Sequence, residues 1–271
     1  MYLTDKGVKQ GCPISPALFN IYVNELMSVW RHQVDKGISL TRNTHLNHLM
    51  FADDTVIIQE SEDKLQVAVH KLYLISKHFN MKISAGKTKI MAFHGKWPIR
   101  SKIVVENKIL EQVSNFKYLG CDITYDYDQD LQQKVSRFNM ICGAINRSLR
   151  NRARKNTLLK FYKVMAIPAL AYGSEAWVLT KKHESKIQAA EMRFLRQVKG
   201  CTREDRIRNE EIRKECDVQP ILSILRTYRK NWSDHVIRMS QERLPRSALL
   251  YKPTGKRNVG RPRKRWTPEQ A

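Results

Sequence analysis

Apolar residues recur at two different spacings along the chain, and the switch between them separates a mixed first half from a helical second half. Leu18, Tyr22, Val23, Leu26 and Trp30 share one helical face, with Ser15 placed to cap that helix and Pro16 to open it. The run from Leu46 to Ile58 is apolar and β-prone, and Asp53 and Asp54 break it in the middle. That pattern predicts a hairpin with both acids at its tip. Ser61 then caps a second helix whose inner face is Leu65, Ala68, Val69, Leu72, Ile75 and Phe79. Lys82 to Thr124 reads as short strands, with Glu106-Asn107 turning between Ile103-Val104-Val105 and Lys108-Ile109-Leu110.

From about Asp126 the period becomes helical: Leu131, Val135, Phe138, Cys142, Ile145 and Leu149 fall on one face. Pro168 is expected to interrupt the next helix, and Tyr172 to Trp177 reads as a junction with an aromatic plug. Ile187, Ala190, Phe194, Leu195 and Val198 define one amphipathic helix; Ile221, Leu222, Leu225, Trp232, Val236 and Met239 define another. At that spacing Trp232 reads as core, and stacking on a nucleic-acid base is its other use. The segment 245–271, rich in Pro, Gly and basic residues, reads as largely disordered. The fold class is α+β.

Charge sharpens this division. Residues 1–140 carry 18 Lys and Arg against 14 Asp and Glu, and residues 141–271 carry 31 against 12, so +19 of the net +23 belongs to the second half. A polyanion is the implied partner, RNA and DNA first, with an acidic membrane surface, a ribosomal-type RNA contact or plain solubility as the competing explanations. Arg147, Arg150, Arg152, Arg154 and Lys155 form an acid-free cluster. Such a cluster suits backbone phosphates, the alternative being an ordinary solvated helix face. No signal peptide and no apolar run of about 18 residues is present, so the expectation is an intracellular, nuclear protein without a membrane span. The five cysteines lack short paired spacing, which points to reduced thiols; Cys201, Cys216, His183 and His235 are too far apart in sequence to read as a zinc site.

Paired carboxylates at a fixed tip suit Mg²⁺ or Mn²⁺, and two such ions about 3.5–4 Å apart activate a 3′-hydroxyl and stabilise a leaving pyrophosphate. Asp-Asp is also ordinary turn composition. Upstream, Gly7 to Phe19 forms a glycine-bearing loop that runs into the first helix, putting Gln10 and Gly11 just before its N-terminus. Gly11 leaves room for a base or ribose, and free amides near a helix start favour phosphate.

Four blocks in this order resemble the reverse transcriptases of non-LTR (LINE-type) retrotransposons. Gly7 to Tyr22 resembles the template- and nucleotide-binding loop and helix, which assigns that contact to Gln10, Gly11, Ser15, Pro16 and Phe19. Phe51-Ala52-Asp53-Asp54 resembles the metal-binding hairpin, with Asp53 and Asp54 as catalytic metal ligands. Lys82 to Met91 resembles the following lysine block, whose Lys87 or Lys89 would lie near the nucleotide and protonate pyrophosphate. Strand periodicity puts both lysines on one face, so solvated edge-strand charges remain the other reading. Phe116 to Gly120 resembles the hairpin that grips the primer, through Tyr118, Leu119 and Gly120, although those residues also suit a packed sheet-to-helix junction.

The resemblance implies part of a right-hand polymerase. It assigns 1–125 to a partial palm with a β-hairpin active site, 126–178 to a thumb-like helical region, 179–244 to a C-terminal helical unit and 245–271 to a basic tail. An RNA template, a DNA primer and two Mg²⁺ or Mn²⁺ ions come with it, as does nucleotidyl transfer by an RNA-directed DNA polymerase of an endonuclease–reverse transcriptase element. Arg147, Arg150, Arg154 and Lys155 would then hold the nucleic-acid backbone. In the tail, Gly260-Arg261-Pro262-Arg263 resembles an AT-hook core, so Arg261, Pro262 and Arg263 would enter the minor groove of double-stranded DNA or serve as a nuclear-import signal.

Departures from the family pattern are Asn80, where it has Gly, and Ser84, where it has Asn. The family also draws a third metal carboxylate from a strand well before the Gln10-Gly11 loop, and this chain starts nine residues before that loop, with Asp5 too close to substitute. Because a misplacement of about 1 Å costs about 10²-fold in rate, the chain alone is expected to be inactive or nearly so. The alternative is a non-catalytic nucleic-acid-binding relic that keeps the basic thumb and tail. A half-palm also predicts an exposed apolar sheet edge and aggregation.

Overall fold

The computed structural model describes residues 7–93, 99–124, 128–251 and Trp266; Arg261, Pro262 and Arg263 lie outside these residues. The chain forms two compact units, Met1–Phe116 with Gln241–Lys252 and Lys117–Ser240 with Pro253–Ala271.

The first unit contains α1 (Ser15–Arg31), β1 (Ile38–Ser39), β2 (His45–Leu46), β3 (His48–Phe51), β4 (Asp54–Ile57), α2 (Glu62–His78), β5 (Lys89–Ile90), β6 (Val104–Val105), β7 (Lys108–Ile109) and β8 (Glu111–Gln112). Its strands pair two by two: β1 with β2, β3 with β4 and β6 with β7 antiparallel, and β5 with β8 parallel. Ser61 caps α2 as expected, its hydroxyl accepting from Lys64 N at 3.3 Å. Glu106 and Asn107, both at positive φ, make the tight turn between β6 and β7.

Helix α2 is shared by two apolar clusters. Ala68 and Ile75 pack with Val23, Leu26, Met27 and Trp30 of α1, and Trp30 Nε1 donates to Ala68 O at 2.8 Å. Val69 packs with Ile90, Ile103, Val105 and Leu110. The inner face of α1 differs from expectation. Leu18 and Tyr22 are exposed and Met27 takes the buried place instead, because α2 and the β3–β4 hairpin cover only the C-terminal part of the helix. Tyr22 still reaches α2's end, donating its hydroxyl to Phe79 O at 2.5 Å.

Strand β9 (Asn115–Tyr118) runs across the boundary at Phe116 and pairs with β10 (Cys121–Thr124) of the second unit. The second unit continues with α3 (Asp128–Leu149), α4 (Lys155–Phe161), a π-helical turn at Tyr162–Ala166, α5 (Ile167–Ala171), a 3₁₀ turn at Ser174–Ala176, α6 (Lys181–Lys199), α7 (Asn209–Glu215) and α8 (Ile221–Arg238). A last helix, α9 (Leu244–Leu250), belongs to the first unit, where Ser247 Oγ lies 3.5 Å from Thr44 Oγ1. The disorder expected from residue 245 therefore does not begin there: Pro245 sits in the first turn of α9, where its missing N–H costs no helical bond.

One core joins the helices of the second unit. Leu131, Phe138, Cys142 and Ile145 of α3 pack with Leu158, Tyr162, Leu170, Ile187, Phe194, Leu195 and Leu225, so helices on both sides of residue 178 share it. Pro168 does not end its helix. The turn before it widens, Ile167 N donating to Tyr162 O five residues back, and the slack accommodates a ring that would clash with the carbonyl four residues earlier. On α8 the buried face holds Ile221, Leu225, Arg229, Ser233 and Val236, while Trp232 is 38% exposed. Apolar periodicity had placed Trp232 inside; the structure buries the polar Arg229 and Ser233 on that face instead.

Candidate active site

The candidate site grows from two short pieces of backbone fixed on one core. The first is the loop before α1. Gly7 and Gly11 take positive φ, Cys12 N donates to Lys9 O at 3.2 Å, and Gln10 and Pro16 are exposed. Ser15 was expected to cap α1, but Ile14 holds the cap position and Ser15 is the first helical residue, with its hydroxyl donating to Lys9 O at 2.7 Å. It thus closes the loop onto the helix rather than satisfying helix amides, because the turn at Cys12 brings a carbonyl within its reach. Phe19, one turn on, packs against the α1–α2 core.

The second piece is the β3–β4 hairpin. Phe51 pairs with Asp54 across the ladder, and Ala52-Asp53 form the two-residue tip with Ala52 at φ 52°. Both carboxylates are exposed there, and among the described residues no group of three or more His, Cys, Asp or Glu converges to hold a metal ion. Behind the tip, Met50 and Ile57 pack on the same core as Phe19. The His48 ring meets Trp30 edge-on at 5.6 Å, and its Nδ1 lies 2.7 Å from Asn47 Oδ1. Burial, then the nearby Arg31 charge, pushes the His48 imidazole below its ordinary value.

The lysine block separates the two candidates it offered. Lys87 lies exposed in a turn whose Ser84 carbonyl accepts from Lys87 N and Thr88 N. Lys89 is in β5 and pairs with Glu111 of β8 at 2.5 Å. The two are therefore not equivalent members of one strand, and an open groove of about 320 Å³ lined by Lys82, Ser84, Gly86 and Lys108 flanks the turn.

In the second unit, Leu119 and Gly120 both take positive φ to turn β9 into β10. Tyr172 holds that turn: its hydroxyl donates to Leu119 O at 2.8 Å, and a Cβ added at Gly120 would meet the Tyr172 ring at 3.2 Å. Beside it, Asp130 accepts from Asp122 N at 2.9 Å and Trp177 Nε1 at 2.7 Å, and Lys134 donates to Tyr172 O. This polar cluster ties β10, α3 and the Tyr172–Trp177 junction together. Its only trace in the sequence is Asp130 and Lys134, four apart, on the apolar face of α3. At the end of α3 and just past it, exposed Arg147, Arg150 and Arg152 line a groove with Asn146 and Gln197; Arg154 is exposed beyond the groove, and Lys155 Nζ donates to Lys199 O at 3.4 Å.

Residues 2–123 match the family of reverse transcriptases (RNA-dependent DNA polymerases). That stretch holds the Gln10-Gly11 loop, the Asp53-Asp54 hairpin, the lysine block and the Leu119-Gly120 turn. A transposon-derived protein of Caenorhabditis elegans is 25% identical over 242 residues, 82% of this chain and 83% of its own length. The Pol polyprotein of a Drosophila melanogaster type-2 retrotransposable element is 28% identical over 133 residues, and that of the Popillia japonica R2 type-1 element is 26% identical over 182. The chain spans 12% and 28% of these two polyproteins. The similarity is thus to a reverse transcriptase domain of retrotransposon kind. Among the described residues, no helix is long and apolar enough to cross a membrane.

Proposed function

We propose that the chain carries the nucleotide- and metal-binding part of an RNA-directed DNA polymerase of a non-LTR retrotransposon, acting on an RNA template and a DNA primer. One observation supports this above the rest: the α1 loop-helix and the Asp53-Asp54 hairpin stand on the same core, through Phe19, Met50 and Ile57. Asp53 and Asp54 are hard oxygen donors at an exposed tip, a set that suits Mg²⁺ or Mn²⁺, which binds through one or two carboxylates and completes its shell with water and phosphate. The ion would supply activation of the primer 3′-hydroxyl and stabilisation of the leaving pyrophosphate. Gly11 leaves the loop open to a base or ribose, exposed Lys87 is better placed than ion-paired Lys89 to meet a phosphate, and the Leu119-Gly120 turn presents backbone to a primer.

In this reading two carboxylates by themselves hold the reactive ion loosely, and the chain alone extends primers weakly or not at all. The test is primer extension on an RNA template with Mg²⁺ or Mn²⁺, comparing the chain with Asp53→Ala. Robust extension abolished by the substitution would overturn the claim of inactivity while supporting the site.

The exposed arginines at the end of α3 favour a second activity that needs no metal, namely grip on a nucleic-acid backbone. Phosphate contacts of this kind position a duplex without reading its sequence. Tight, salt-sensitive binding to a primed duplex without extension identifies a binding relic.

A further inference from the structure

The Pro-rich basic segment carries a tryptophan, Trp266, that packs on the helical unit. Trp266 Nε1 donates to Glu175 O at 2.7 Å, its ring meets Trp232 edge-on with centroids 5.7 Å apart, and the Arg229 guanidinium lies 5.0 Å from its centroid. Arg229 is buried and oriented by a hydrogen bond from Nη1 to Trp177 O at 3.1 Å. The slot is therefore built from fixed parts: a 3₁₀ carbonyl, a buried cation and an aromatic edge. Together these recognise an indole through its N–H, its face and its rim. They also explain two departures on α8 at once, since Arg229 turns inward and Trp232 stays at the surface where the indole meets them.

We propose that Glu175, Arg229 and Trp232 form an indole-binding slot whose occupant is Trp266 of the chain's own C-terminal segment. Seating the indole anchors the cationic run Arg261-Pro262-Arg263-Lys264-Arg265, which ends one residue before it, to the helical unit. Anchoring matters because a tethered cationic segment meets a duplex already held by the helical unit at a raised effective concentration, so the two grips reinforce each other. This role rests on the nucleic-acid reading above; the seating itself does not.

The test separates the two. In the full chain labelled with fluorotryptophan, the ¹⁹F resonance assigned to Trp266 by Trp266→Phe should be displaced from the solvent position and should move toward it in Trp232→Ala. A solvent-like resonance in the unsubstituted chain overturns the proposal. Binding to a short RNA–DNA hybrid should then weaken about tenfold in Trp266→Ala. The same substitution should add nothing once Arg261, Arg263, Lys264 and Arg265 are all changed to Gln. A seated indole whose loss leaves binding unchanged overturns the anchoring role. A chain that binds no hybrid at all overturns the nucleic-acid reading and the anchoring role together, while the resonance still decides the slot.

Discussion

Tyr172 donates its hydroxyl to the carbonyl of Leu119 across 53 residues of sequence, fixing the turn between β9 and β10 from the junction that follows α5. A hairpin tip that would otherwise be steered only by its own two strands is thereby held from the helical unit. Tyr172→Phe should lower stability by only about 0.5–1 kcal/mol, because one partly solvated hydrogen bond is lost. Its larger effect should be faster amide exchange at Gly120 and Cys121, read by hydrogen-exchange mass spectrometry. Unchanged exchange there would show that the turn holds itself.

The buried pair Glu191–Arg213 makes a sharper prediction. Glu191 is fully buried, accepts from Arg213 Nε and Nη2 at 3.2 and 2.8 Å and from Ile221 N at 2.9 Å, and so links α6, α7 and the start of α8. Glu191→Ala strands both a buried cation and a helix-start amide and should cost about 3–5 kcal/mol in denaturant unfolding. Tyr162 runs the other way. Its buried hydroxyl has no hydrogen-bond partner among the described residues, so Tyr162→Phe should raise stability by up to about 1 kcal/mol while keeping the stack on Phe194 at 4.9 Å.

Stability should also depend on His48. Its folded-state affinity for a proton is depressed, so the unfolded chain binds more protons between the folded and unfolded values, and stability rises with pH through that window. As pH falls below about 6.5 the first unit should lose stability, and His48→Gln should flatten that decline in melting experiments. A decline that persists in the variant would assign it to other groups.

Thiol reactivity should divide along the structure. Hydrogen bonding from the Ile14 N–H lowers Cys12, whereas burial pushes Cys142 up to about 12 and also raises Cys216. Iodoacetamide near neutral pH should therefore modify Cys12 first and leave Cys142 untouched until unfolding. Mass spectrometry of the peptides reads this directly, and early labelling of Cys142 would mean that the core opens.

For the basic groove, replacing Arg147, Arg150 and Arg152 with Gln should weaken duplex binding for all sequences alike. Each lost phosphate contact should lower the slope of log affinity against log salt by about one. A slope that does not change would remove these arginines from the interface.

Much of this was legible because local chemistry decided it. The hairpin at Asp53, the Glu106-Asn107 turn, the Ser61 cap and the inner faces of α2, α3 and α6 follow from residues within a few positions of one another, although Asp54 opens β4 and does not share the two-residue tip as expected. What escaped was decided by distant partners. Ser15 turned to a carbonyl that the preceding loop brought close, Leu18 was left uncovered because nothing described packs over it, and Trp232 stayed outside because Arg229 found Trp177 and Trp266. The Asp130–Lys134 cluster was hidden for the same reason, since periodicity records which face a residue occupies and not which groups meet it there. For the candidate site, the sequence supplied the paired acids, and the structure added the core that carries them.

The π-helical turn at Tyr162–Ala166 gives the α4–α5 rod one residue more than a regular helix of its length would need. A residue of α-helix rotates everything beyond it by about 100°, so the surplus sets the rotational phase between Leu158 on one side and Leu170 on the other. Deleting any single residue of that turn would make the helix more regular and the protein worse: Tyr162 would swing off Phe194, or Leu170 would swing out of the core. The irregular turn is therefore a phase setting, and the regularity of the helices around it depends on its staying irregular.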